Sequence, residues 1–200
     1  VIANPAVQPK SIFISAFDTN PLAPDIPFTL LGKSEEFQTG LDALKKLTPG
    51  RVHVNIHVSS DAAFFNSLNG ISIHRFKGPH PAGNVGVQIH HIDPVNKGET
   101  VWCVNAQDVL IIGRLFMKGV FDTSRLTAIT GALIERPQYV ETLLGSPLNT
   151  FLDIAGLKEG PYRFISGNVL SGRKKEIKDH IGFYDTHITV IPESHEPEFM

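Results

Sequence analysis

The sequence predicts an α/β protein in two parts. A domain built on a mostly parallel sheet spans residues 1–130, and a smaller mixed β/α unit spans residues 131–200. Three observations lead there. Up to Thr130, strand-like and helix-like segments alternate through short turns. The first strand, Ser11–Phe17 (S-I-F-I-S-A-F), is a nearly continuous apolar run of the kind buried on both faces of a parallel sheet. After Thr130 the rhythm changes and short strands dominate.

Residues 1–10 show no period and read as a tether. After the first strand, Asp18–Asp25 is a loop stiffened by Pro21 and Pro24. A helix fits Ser34–Leu47, with Ser34 as cap, Glu35 and Glu36 at the positive end, and Phe37, Leu41 and Leu44 as the buried stripe. Arg51–Ser59 alternates throughout. Val52, Val54, Ile56 and Val58 point one way, while Arg51, His53, Asn55 and His57 point the other. That pattern predicts a half-exposed strand, near a sheet edge or facing something polar. A short helix at Asp61–Leu68 and a strand at Ile71–Phe76 follow. His74–Val95 then reads as strand, glycine-rich turn and helix, with Val85, Ile89 and Ile92 giving the helical period. Next come a strand at Thr100–Val104 and a helix from Asn105 to Lys118. That helix is apolar almost all round, predicted to be well buried, and stopped by Gly119. Arg125–Thr130 is the fifth strand expected in the parallel sheet. The smaller unit reads as a strand at Gln138–Leu144, a helix carrying Leu148, Phe151, Leu152 and Ala155, and strands near Tyr162–Ser166 and His187–Ile191. The first domain is thus Rossmann-like.

Composition excludes several functions. A net charge of −2 argues against a nucleic-acid groove and against docking to anionic lipid through charge. A single cysteine, Cys103, excludes an intrachain disulfide and a cysteine-ligated iron–sulfur cluster; it lies in V-W-C-V and is expected to be buried and inert. No apolar run is long enough to insert into a membrane. The start at Val1, without an initiator Met, predicts a piece of a longer protein.

The candidate ligand crevice gathers at the carboxyl ends of the strands. Its residues are Asp18, Asp25, Gly78, His80, Gly83 and Gly86. Gly78-x4-Gly83 resembles the start of a phosphate-binding loop, but Asn84 and Val85 stand where Lys and Ser/Thr are needed. Two readings of the glycines remain: a phosphate cradle without a fingerprint, or a tight strand–helix turn with close packing. Asp18 and Asp25 likewise fit either a ligand site or turn and cap positions. His53 and His57, four apart on a strand, are roughly 13 Å apart and cannot share a metal. His90 and His91 point in different directions, so no metal site is predicted. Lys174 and Lys175 read as a solvated loop. No catalytic residue stands out.

Several longer motifs carry a resemblance. They are D-T-N-P-L-A-P-D (Asp18–Asp25), F-K-G-P-H-P-A-G (Phe76–Gly83), T-V-W (Thr100–Trp102) running into Asn105 and Asp108, and I-S-G-N-V-L-S-G-R (Ile165–Arg173). They closely resemble the A-subunit family of the bacterial sodium-translocating NADH:quinone oxidoreductase, from Ser11 to about Ile191. The resemblance implies a peripheral subunit on the cytoplasmic side of the bacterial inner membrane. Its partners would be the other subunits of the complex, a membrane-embedded one in particular, with quinone as a candidate ligand. It also implies a fold like the flavin-carrying subunit of respiratory complex I, with the second unit a β-grasp module of the soluble-ligand-binding type that opens at Gly131–Pro137. The family's amino-terminal carrier-like domain and carboxyl-terminal segment are missing. This chain lacks the relative's flavin loop and cysteine set. The resemblance therefore implies no cofactor here, with flavins and iron–sulfur held by partner subunits. The leading expectation is a cofactor-free structural subunit contributing to quinone access. The rival is a stand-alone nucleotide- or flavin-binding oxidoreductase domain.

Overall fold

The computed structural model describes residues 3–60 and 62–193. The first two residues of the expected tether, Asp61 at the start of the expected 61–68 helix, and the polar tail from residue 194 lie outside the described residues. One unit runs up to Thr19 and from Asp25 to Asp122; the second comprises Asn20–Pro24 and Thr123 onward.

The first unit runs β1 (Ser11–Ser15), α1 (Ile26–Leu30), α2 (Ser34–Lys45), β2 (Val52–His57), α3 (Ala62–Asn66), β3 (Ser72–Phe76), α4 (Val85–Ile92), β4 (Val101–Asn105) and α5 (Ala106–Lys118). Its four strands are all parallel, in the order β3-β2-β1-β4. That is one half of a doubly wound, Rossmann-like sheet. One face of the sheet presents Ile12, Ile14, Val52, Val54 and Ile56 to a core shared with Phe37, Leu41 and Leu44 of α2 and Val109 and Leu110 of α5. The two helices approach closely because Gly40 and Gly113 carry no side chain. A Cβ at Gly40 would strike the backbone of Val109, and one at Gly113 the backbone of Glu36.

The opposite face is different in kind. Phe13, Ser15, His53, Asn55 and His74 occupy it, and α4 contributes Gln88. This overturns the half-exposed, sheet-edge part of the expectation for Arg51–Ser59 and bears out its alternative, a strand facing something polar. β2 lies inside the sheet, and its first five residues are all buried, His53 and Asn55 among them. Alternation persists because the second face of the strand meets polar groups, not because it meets water. α4 behaves the same way. Its apolar residues are only half-buried, and its fully buried side chain is Gln88.

Other differences are local. Lys33, not Ser34, caps α2, without a side-chain hydrogen bond. α1 has no counterpart among the expected elements; Asp25 caps it, accepting from the Phe28 amide at 3.2 Å. α5 is buried along most of its length, but its last turn is not: Phe116 is 68% exposed. Gly119 ends it in the left-handed conformation, as predicted.

The second unit runs β5 (Ser124–Thr130), β6 (Gln138–Leu143), α6 (Leu148–Ala155), β7 (Tyr162–Ser166), β8 (Arg173–Lys175) and β9 (His187–Pro192). Strand order is β6-β5-β9-β7-β8. β5 and β9 pair in parallel, while β5–β6, β7–β9 and β7–β8 are antiparallel. The helix connects the two halves and buries Leu148, Phe151, Leu152 and Ala155 against Ile129, Phe164, Ile188 and Val190. Two hairpin halves joined by a helix, with the first and last strands parallel at the centre, form a β-grasp-like sheet.

β5 is therefore not the fifth strand of the parallel sheet. It hydrogen-bonds β6 and β9, and the units divide between Asp122 and Thr123 where the sequence predicts a boundary near Gly131. Lys174 and Lys175 do not lie in a loop: they form β8, where Lys174 pairs with Glu193 at 2.8 Å. Arg163 meets the same carboxylate, and the two cations hold it well below its usual range, at about 2.

Candidate functional site

The sequence-predicted crevice lies within the first unit, where the chain leaves β1 and β3. Phe17 to Thr19 and Gly78 to Asn84 meet there, and α4 begins. Thr19 is the hub, although nothing in the sequence marks it. Its Oγ1 accepts a hydrogen bond from the Gly83 amide at 2.9 Å and meets His80 Nδ1 at 3.2 Å. Gly83 is pressed so close that a Cβ there would lie 2.5 Å from the Thr19 nitrogen and 3.1 Å from the carbonyl carbon of Asp18. Asp18, His80 and Gly83 are thus brought together through Thr19.

The other three predicted residues are not part of that cluster. Asp25 is engaged as the cap of α1. Gly78 adopts φ +152, and a Cβ there would meet the Ala82 side chain at 3.3 Å. Gly86 faces open space in the first turn of α4. The amides of the glycine-rich turn bond to their own loop: Ala82 donates to the Pro79 carbonyl at 2.9 Å and Asn84 to the Pro81 carbonyl at 2.8 Å. Together with Gly83, three consecutive amides that could have cradled a phosphate are committed inside the protein.

Beneath the turn lies a polar plug that the sequence does not reveal. Gln88 is fully buried. Its amide nitrogen donates to Ser15 Oγ at 2.9 Å and to the carbonyls of Gly83 and Ala82 at 3.2 and 3.3 Å. Its oxygen accepts from Asn55 Nδ2 at 2.8 Å. Asn55 is itself fully buried, and its Oδ1 has no hydrogen-bond partner among the described residues. The plug ties β1, β2, the turn and α4 into one hydrogen-bonded body.

A second polar pair sits further down the same sheet face. His53 Nδ1 and His74 Nε2 lie 2.9 Å apart, so one neutral imidazole donates to the other. Phe13 stacks on His53 with ring centroids 4.6 Å apart. Burial, the positive charge that His74 would carry, and Arg51 push His53 down to about 4; burial and Arg51 lower His74 as well. Residue parity is the signal that could reveal this pair, since both histidines point to one face of paired strands. Spacing along a single strand relates His53 only to His57, which instead bonds Ser59 Oγ at 2.6 Å. Cys103 corrects the expectation of burial: it is exposed, on edge strand β4. Neighbouring atoms still desolvate its thiol and hold it above the usual range, which disfavours the nucleophilic thiolate. Among the described residues, no group of three or more His, Cys, Asp or Glu is placed to hold a metal, and no helix is long and apolar enough to cross a membrane.

A Rossmann-like half-sheet followed by a β-grasp-like unit defines the class of protein. The same architecture recurs at a TM-score of 0.62 in two crystal structures of NAD+-reducing NiFe hydrogenase, air-oxidized and H2-reduced. The match covers 94% of this chain and 41% of that one, at 12% identity, a likeness of fold alone. Residues 1–121 match the family model described as the NqrA second alpha/beta domain, and residues 126–176 match the NQRA C-terminal domain. The chain belongs to the NqrA family. It is 40% identical over 195 residues to the NqrA subunit of the Na(+)-translocating NADH-quinone reductase of Yersinia pestis bv. Antiqua, and 39% identical over 199 residues to its counterpart in Neisseria meningitidis serogroup C. These matches cover 97% and 98% of this chain but 43% and 44% of the relatives, so the chain spans less than half their length.

Proposed function

We propose that the protein carrying this chain works as the NqrA subunit of a sodium-translocating NADH:quinone reductase, and that this stretch is a scaffold within it. On this reading the complex oxidises NADH, reduces quinone and exports sodium, while flavins and iron–sulfur centres reside in partner subunits. The NqrA protein sits peripherally on the cytoplasmic side of the bacterial inner membrane, against a membrane-embedded partner. Support for this role comes from 40% identity across 97% of the chain.

The scaffold reading rests on one observation above all. The turn that opens α4 commits the amides of Ala82, Gly83 and Asn84 to its own loops, and Gln88 fills the space below. A cradle whose donors are already paired offers little to a nucleotide phosphate, since each displaced bond must be replaced by one of equal strength. A share in quinone access belongs to the same proposal and is tested separately. A quinone analogue should shift the resonances of His80–His91, and silence there would remove that part.

The role in the complex is tested by tagging the full-length protein in its native host and purifying from membranes. The tag should bring down NADH:quinone reductase activity that depends on sodium. Recovery of the tagged protein alone, from cells whose membranes keep full sodium-dependent activity without it, would overturn the proposal.

A further inference from the structure

At the amino-terminal end of β2 and β3, opposite the crevice, lies an open groove of about 570 Å³. It is lined by Lys45 from the end of α2, the turn Thr48–Pro49–Gly50, Arg51 and Val52 entering β2, and Gly70–Ile71–Ser72 entering β3. A volume of this order is in the range of small-molecule sites. Its lining carries two cations, the hydroxyls of Ser72 and of Thr48 (the latter donating to the Pro9 carbonyl at 2.8 Å), and no carboxylate. Arg51 pairs with no carboxylate among the described residues and is exposed. Among the described residues Lys45 is held only by Asp42, at 2.9 Å, in a solvent-exposed pair that costs little to release. Gly70 adopts φ +71 and lets the Lys45 ammonium pack against its backbone, since a Cβ there would run into that ammonium. Pro49 and Ile71 add an apolar wall beside the charges, with the buried Val52 behind it.

We propose that this groove binds a small soluble molecule bearing a phosphate group, with Arg51 and Lys45 gripping the phosphate and the apolar wall receiving the rest. A guanidinium and an ammonium lining one groove suit a dianion better than a single carboxylate. The proposal is independent of the role in the complex. The groove also has a built-in reporter. Arg51 is one of the charges that keep His53 and His74 from taking protons, alongside burial, while Asp93 acts on His53 in the opposite sense. An anion seated on Arg51 cancels part of its field, so binding raises the pH at which the histidine pair titrates.

The test is an NMR titration of the full-length protein with sodium phosphate and then glycerol 3-phosphate, holding ionic strength constant with sodium chloride. Expected are saturable shifts at the amides of Gly50, Arg51, Gly70 and Ser72, and an upward move of the His53 and His74 titrations. Arg51→Gln and Lys45→Gln should each weaken saturation by about tenfold while leaving the spectrum otherwise folded. Shifts that never saturate, or an Arg51→Gln variant that binds as well as the parent, would overturn the proposal. So would saturation produced by phosphatidylglycerol vesicles but by neither soluble phosphate.

Discussion

His53 gives the sharpest test of how the polar sheet face is held. It is 6% exposed, stacked on Phe13 and bonded to His74, and its folded form protonates only near about 4 against 6.5 for a free imidazole. Between those values the unfolded chain binds a proton that the folded chain refuses. Stability is therefore complete above about pH 6.5 and is lost as the pH falls toward 4. Following the linkage from pH 7.5 to 4.5, this one group withdraws about 2.5 kcal/mol. His74, shifted the same way, adds to the loss. Urea unfolding followed by the fluorescence of Trp102, the sole tryptophan and a residue of β4, reports on this unit. The parent should lose about 2 kcal/mol more over that pH span than His53→Phe, which keeps a ring against Phe13 but cannot titrate. Equal losses in the two proteins, or a His53 resonance that titrates near 6.5, would refute the reasoning.

Three further outcomes follow from the same geometry. Gly83→Ala should cost about 1–3 kcal/mol, because its Cβ collides with the Thr19 backbone, while Gly86→Ala, facing open space, should be neutral or stabilise by about 0.5 kcal/mol in urea denaturation. Gln88→Ala should cost about 3 kcal/mol by the same assay, because Asn55 and Ser15 lose a buried partner; a loss under 0.5 kcal/mol would mean that the plug contributes little. Cys103, though exposed, should react with iodoacetamide at neutral pH more slowly than free cysteine, as measured by mass spectrometry over time.

Much of the fold is legible in the sequence. Ser11–Phe17 announces a central strand because a strand covered on both faces has no solvent side to carry alternating polar residues, and β1 does lie between β2 and β4. Gly119 announces the end of α5 because it can take the left-handed cap. What escapes is pairing. Arg125–Thr130 looks like any half-buried strand, and only its hydrogen bonds to β6 and β9 assign it to the second sheet. Alternation in β2 leaves exposure and a buried polar neighbour both open, since periodicity reports polarity and cannot tell water from a buried Gln88. The crevice residues Asp18, His80 and Gly83 fall at the strand ends where the sequence puts them. Their partners Thr19, Ser15 and Gln88, and Asn55 behind Gln88, stay hidden because each is an ordinary polar residue whose meaning arises from a distant neighbour.

Whether the protein's own hydrogen bonds close the strand-end crevice is tested most directly by calorimetric titration of the purified full-length protein with FMN and with NADH. With the turn amides already committed, no saturable heat is expected with either at micromolar concentrations. Stoichiometric binding of either one, abolished by a bulky substitution at Gly86 in the open first turn of α4, would contradict a closed crevice.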